Sequence, residues 1–381
     1  MQFNEIIGQD ILKKKLLNTV KNGRISHAQL FLGKNGFGSL PLALAYVQYI
    51  NCTDKQEEDS CGQCNSCLKM GKLIHPDVHF SFPVNTNKEV KSKAISNNFL
   101  EAWREINRET PYFNIDDWHR KIDIEQKQSI INVQESQEII KKLSLKPFEA
   151  EYKFLILFKA ENLNIQASNK LLKLIEEPTD KTVILLIAEE EEQLLKTITS
   201  RTQMVRVPPI SQAAIRTQLI NKNGTEEVKA ERVSALSEGD FIEALSRLDF
   251  GEEEELFFEL FKTWMRGCYE ANIERMYNWV EEISARSFGR EKQKRFLEYA
   301  LQVMREGAVR NYGSTKLQRF KGSKEGFMQK FAPFVNGNNV IGIAELLSEA
   351  HQQISRNAYA KILFMDMSMK FANLLRVKPS N

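Results

Sequence analysis

Cys52, Cys61, Cys64 and Cys67 form a C-x8-C-x2-C-x2-C run. Gaps of two residues let neighbouring thiolates turn toward one ion, and four of them complete a tetrahedral site with metal–sulfur bonds of about 2.3 Å. Zinc is the expected occupant. Iron–sulfur clusters also use four thiolates, but nothing else in the chain suggests electron transfer. Four protein ligands leave no coordination position open, so the ion would be structural rather than catalytic. Cys268 stands alone and reads as a buried apolar residue in a reducing compartment. His75 and His79 read as surface or packing residues rather than ligands.

A second pattern, Gly33-Lys34-Asn35-Gly36-Phe37-Gly38-Ser39-Leu40, follows an apolar run and precedes a helical one. That is the layout of a P-loop, where glycines let backbone N–H groups wrap a phosphate at a helix N-terminus. A working P-loop also needs lysine after its last glycine, to reach the β- and γ-phosphates, and then Ser or Thr to hold Mg²⁺. Here those slots hold Ser39 and Leu40. Lys34 lies at the front of the loop and leaves the magnesium ligand unreplaced. Taken alone, the loop is equally compatible with an ordinary glycine turn.

The elements that must position these residues alternate in type. AQLFL (28–32), KFLILF (153–158) and TVILLIA (182–188) are short apolar runs of the kind that form buried parallel strands. Helical patterns separate them, so residues 1–208 read as an α/β module with a parallel sheet. Residues 84–128 show little periodicity and read as an insertion, although Trp103, Tyr112, Phe113 and Trp118 indicate that part of it packs. After Pro208-Pro209 the strand signal ends. A short helical unit is expected over 209–248, divided by Gly239-Asp240, and a longer helical bundle over 249–381. Length agrees, because 381 residues exceed what one core usually organises. Lys plus Arg number 53 against 50 for Asp plus Glu, which argues against nucleic-acid or membrane binding through bulk charge. The N-terminal segment reads as an amphipathic helix, no run is long enough for a membrane span, and a cytoplasmic protein is expected.

At this level of detail the chain resembles a known family. SHAQLFLGKNGFGSLPLALAYVQYINC, ENLNIQASNKLLKLIEEP (161–178) and LLKTITSR (194–201) occur in the order found in the AAA+ clamp-loader family. The resemblance implies an AAA+ module over 1–208 with a zinc module at about 52–67, then a helical lid and an all-α oligomerisation collar. His75-Pro76-Asp77 follows the cysteines as in that family. The resemblance also implies what is missing. The Walker B acidic slots hold Phe158 and Lys159, the polar sensor slot holds Glu189, and the second sensor arginine, within SEGDFIEAL (237–245), is replaced by Ile242. Ser200-Arg201 matches the segment that presents an arginine finger to a neighbour's ATP, with Thr202 where many relatives have cysteine. The helix beginning near Asn132 corresponds to one whose start faces primer–template DNA. There Gln137 replaces a frequent arginine, and Lys141 and Lys142 read as solvated charges.

The implied function is that of a non-hydrolysing subunit of the DNA polymerase III clamp loader, binding no ATP itself. It would sit in a ring with ATPase subunits and the clamp-opening delta subunit, help load the sliding clamp on primed DNA, and supply Arg201 in trans. Two rival readings remain: an active P-loop ATPase using unusual residues, and a free-standing zinc protein that binds nucleic acid.

Overall fold

The structure, a computed structural model, describes residues 1–125, 127–285, 288–312, 325–356 and 358–377. Residue 126 of the insertion, and 286–287, 313–324, 357 and 378–381 of the C-terminal segment, lie outside them. Contacts divide the chain into two compact units, Met1–Leu248 and Asp249–Asn381.

The first unit is built on five parallel strands: β1 (Ala28–Leu32), β2 (Val78–Ser81), β3 (Lys153–Phe158), β4 (Thr182–Ala188) and β5 (Gln203–Arg206). Their order in the sheet is β2-β3-β4-β1-β5. β1, β3 and β4 coincide with the three apolar runs and are buried at every position. Alternation sends their side chains to opposite faces. Phe154, Ile156 and Phe158 join one cluster with helix Ser39–Asn51, while Leu155 and Leu157 join another with Ile139, Leu143, Leu171 and Ile175 of helices Val133–Ser144 and Ile165–Glu176. Covering both faces is what a fully apolar parallel strand requires. The α/β class expected from the sequence is therefore observed.

Two details differ from the sequence reading. The N-terminal helix is shorter than the apolar pattern suggests. Gly8 and Gln9 take left-handed backbone angles (φ 58° and 61°), so the helix begins at Asp10 and ends at Lys21. The segment 84–128 contains regular helix at Leu100–Glu109 and Ile115–Lys121. Trp103 and Ile106 lie on one buried face of the first, and Trp118 is buried in the second. These helices are short, and their many Asn, Lys and Glu residues hide the period.

Beyond β5, helices Gln212–Asn221 and Glu227–Leu236 and the start of Phe241–Glu270 form a small cluster around Ile215, Leu219, Val233 and Phe241. The second unit is helical throughout its described residues. Its core centres on Trp264, stacked on Trp279 at 5.0 Å between ring centres, with its indole N–H donating to Ser368 Oγ at 2.9 Å. Cys268 is fully buried there, and burial pushes its thiol up to about 12.

Candidate functional site

The order β3-β4-β1 sets three strand ends side by side, so the residues that follow them meet. After β1, the Gly33 N–H donates to Ala188 O at 3.0 Å, and a Cβ at Gly33 would fall 2.5 Å from the Val207 carbonyl oxygen. Gly38, at φ 93°, turns the loop into helix Ser39–Asn51. Ser39 and Leu40 are buried, and Ser39 Oγ donates to Gly33 O at 3.3 Å, tying the loop to itself.

Lys159, immediately after β3, is buried in a left-handed conformation (φ 58°). Its ammonium contacts the carboxylate of Glu189 and lies 3.4 Å from Glu161 Oε1. Glu189, immediately after β4, also accepts the Asn35 N–H at 2.8 Å. A carboxylate thus occupies a loop N–H of the kind a phosphate would use, and a buried lysine balances its charge. Asp240 closes the loop from the helical side. Its Oδ1 accepts the Glu243 N–H at 3.1 Å, capping helix Phe241–Glu270, and would lie 1.7 Å from a Cβ at Gly36. Burial pushes the Asp240 and Glu161 carboxyls above their usual range. Lys34 is exposed at the front of the loop, and Ile242 is partly buried in the small helical cluster. The sequence reading named Lys159 and Glu189 but not their pairing, named Asp240 only as part of a divider in the helical region, and gave Glu161 no role.

The four cysteines come together, with all four Sγ atoms within 4.8 Å of one another. Among the described residues they are the one group of His, Cys, Asp or Glu side chains placed to hold a metal ion. Separations of 3.6 Å (Cys52–Cys61), 3.9 Å (Cys61–Cys67) and 4.0 Å (Cys64–Cys52) match the edge of about 3.8 Å that a tetrahedron of 2.3 Å bonds requires. Backbone N–H groups point at the sulfurs, including Cys64 to Cys61 Sγ at 3.3 Å and Cys67 to Cys64 Sγ at 3.5 Å. Burial opposes ionisation of Cys64, but hydrogen bonds from Thr53 and Cys67 bring its thiol down to about 6. Burial raises Cys52 and Cys67. The donor set fits a tetrathiolate ion.

The cysteine module is also a clamp on the N-terminus. Asp59 accepts the N–H groups of Phe3 and Asn4, both at 2.9 Å, and Ser60 O accepts from Gln2 Nε2 at 2.6 Å. His75 is buried and packs beside the module, with Nδ1 accepting the Asp77 N–H at 3.2 Å. His79 is half-buried, which lowers its imidazole to about 4. Asp77 accepts the N–H groups of Phe148, Glu149 and Ala150. Burial opposes its charge, but these three bonds outweigh it and hold the carboxyl below its usual range. An ionised state favoured in the fold contributes stability above about pH 4, and that contribution fades as pH falls further. Asp77→Asn should therefore cost about 2 kcal/mol at neutral pH and progressively less below pH 4, as read by urea unfolding across pH. A penalty that does not vary with pH would refute this.

Arg201 follows the short helix Lys196–Thr199 and is exposed. Its Nε donates to Glu176 Oε2 at 2.8 Å and its Nη1 to Thr197 O at 3.2 Å. Thr202 bonds only backbone oxygens, Ile198 O at 3.2 Å and Thr199 O at 3.3 Å. Asn132 caps helix Val133–Ser144 by accepting the Glu135 N–H at 2.9 Å, and Glu135 puts a carboxylate in the first turn. Gln137 and Lys141 are exposed, and Lys142 reaches Asn97 Oδ1 at 2.6 Å. No helix among the described residues is long and apolar enough to cross a membrane.

Comparison with known proteins places this arrangement. A family model described as DNA polymerase III, delta subunit, matches residues 8–211. DNA polymerase III subunit delta' of Bacillus subtilis is 29% identical over 222 residues, which is 58% of this chain and 54% of that protein. DNA polymerase III subunit tau of the same organism is 24% identical over 253 residues, 65% of this chain and 37% of that one. The chain thus spans about half or less of the curated relatives it matches. The solved structure of a DNA polymerase III gamma subunit-related protein from Thermotoga maritima aligns at 15% identity and a TM-score of 0.46, covering 96% of this chain and all of that one. The family model takes in the glycine loop, the cysteine module and the Arg201 segment together, and the chain belongs to the DNA polymerase III delta-subunit family, as its clamp-loader resemblance implied.

Proposed function

We propose that this chain is a non-hydrolysing, delta-prime-type subunit of the DNA polymerase III clamp loader in DNA replication. The observation that carries the reading is the glycine loop. Its lysine and magnesium-ligand slots hold buried Ser39 and Leu40, and its Asn35 N–H is already taken by Glu189. Phe158, Lys159 and Ile242 leave the remaining nucleotide and metal roles without ligands. Zinc on Cys52, Cys61, Cys64 and Cys67 stabilises the module. The helices of 209–248 act as a lid and 249–381 as a collar that joins ATPase subunits and a delta subunit in a ring. Sliding clamp and primer–template DNA are engaged through that complex in the cytoplasm, and Arg201 serves a neighbour's ATP. The capped and acidic start of helix Val133–Ser144 disfavours a direct phosphate contact there.

Calorimetry with Mg-ATP on the isolated chain should give no saturable heat and no turnover. Micromolar binding would sink the reading in favour of an active ATPase. Salt-sensitive DNA affinity without partners would instead favour a free-standing nucleic-acid-binding protein.

A further inference from the structure

The segment 84–128 leaves and rejoins the module through one doorway, because Val84 and Ile130 exchange backbone hydrogen bonds of 3.1 Å in both directions. Its aromatic residues run inward from there. Trp103 and Trp118 are fully buried and nearly perpendicular, with ring centres 5.4 Å apart. Trp103 and Phe113 each lie 5.4 Å from Phe158. Phe158, standing in a slot that would otherwise hold a carboxylate, is thus an apolar seat for this segment.

Seating Phe113 there delivers its neighbour Tyr112 to the glycine loop. The Tyr112 ring is 5.3 Å from that of Phe241, and its hydroxyl oxygen accepts the Ile7 N–H at 3.0 Å. A Cβ at Gly38 would lie 3.2 Å from both a ring carbon and the hydroxyl oxygen. Ile7, Ile210, Ile215 and Phe241 complete the apolar surroundings of Tyr112, which is 6% exposed. A nucleotide with its phosphates on this glycine loop would set its base beside the loop, where the apolar surface around Tyr112 lies. Here a ring of this chain already fills such a surface.

We propose that residues 84–128 are a tethered occupant of the nucleotide cleft, with Tyr112 standing in for the base while Glu189 and Asp240 take the loop end. The proposal rests on reading residues 33–40 as a degenerate P-loop. A free nucleotide would hold the helix beginning at Phe241 only as far as its concentration exceeds its dissociation constant. A covalently tethered ring holds it at every ATP level. The segment therefore fixes the small helical cluster on the module without nucleotide.

Hydrogen exchange on the full-length chain tests this. With Tyr112→Ala, exchange at the Ile7 amide and across residues 239–248 should speed by about tenfold or more, while the cysteine module keeps its protection. Millimolar 4-methylphenol should restore protection by refilling the cavity, as small aromatics do in apolar voids. Tyr112→Phe should expose the Ile7 amide and leave 239–248 protected. Unchanged exchange in Tyr112→Ala, a loss spread evenly over the chain, or no recovery with 4-methylphenol would overturn the proposal. If Tyr112→Ala does not fold, an Ile7 amide equally protected in Tyr112→Phe overturns it. A fluorescent ATP analogue titrated into the unsubstituted chain separates the two ideas. Its binding would sink the degenerate-loop reading itself, whereas failed exchange predictions without such binding remove only the tethered occupant.

Discussion

Under the proposed function, replacing Arg201 by Ala should slow hydrolysis at the neighbouring subunit's ATP site by about 10³–10⁵-fold in a reconstituted loader, the usual worth of an arginine finger supplied by a neighbour. The structure explains why this need not cost stability. Arg201 is exposed and held to Glu176 by a pair at the surface, and such pairs contribute about 1 kcal/mol or less. In the proposed role the guanidinium is parked rather than committed, and releasing Glu176 is cheap. Ring assembly should persist, with stability changed by about half a kcal/mol. Total turnover should fall only in part, because other sites keep their own fingers, and clamp loading should suffer more. Arg201→Lys should resemble Ala, since lysine keeps the charge and loses the planar fork. Clamp-stimulated ATP turnover and loading are the measurements. Wild-type values with either variant would make Arg201 an ordinary surface residue.

Metal analysis should find one zinc per chain, and Cys64→Ser should release it with a large loss of stability. Structural zinc typically binds with an apparent 10–16 kcal/mol that is largely folding free energy, so even partial uncoupling should lower the melting temperature by several degrees. The damage should have a direction. Asp59 and Ser60, inside the cysteine module, hold residues Gln2–Asn4, so these residues should lose hydrogen-exchange protection first while the Trp264–Trp279 core of the second unit keeps its own. An iron signal, or four thiols that react freely in the native protein, would exclude the zinc assignment.

What the sequence disclosed follows from how locally each feature is encoded. β1, β3 and β4 are continuous apolar runs and were legible. β2 and β5 have only four residues each and mix in polar side chains, so they carry no comparable signal. The cysteine spacing predicts the cluster because its geometry is nearly local. Vacancies in the glycine loop were legible for the same reason, but what fills them was not. Glu189 was read as a replacement in the polar sensor slot. Its actual partners, Lys159 and the Asn35 N–H, become neighbours only through the sheet order β3-β4-β1. Asp240 and Tyr112 reach the loop from far along the chain, and no periodicity forecasts that. The aromatics of 84–128 signalled burial without signalling where.

The place of β1 between β4 and β5 sets a timetable for synthesis. This strand is made well before its two partners, residues 182–188 and 203–206. At translation speeds of about 5–20 residues per second, the nascent chain carries that strand unpaired for on the order of ten seconds or more. Its row of open hydrogen-bonding groups and apolar side chains is a template for wrong pairing throughout that interval. Slow stretches of message or a waiting chaperone would matter most before residue 206 clears the exit tunnel.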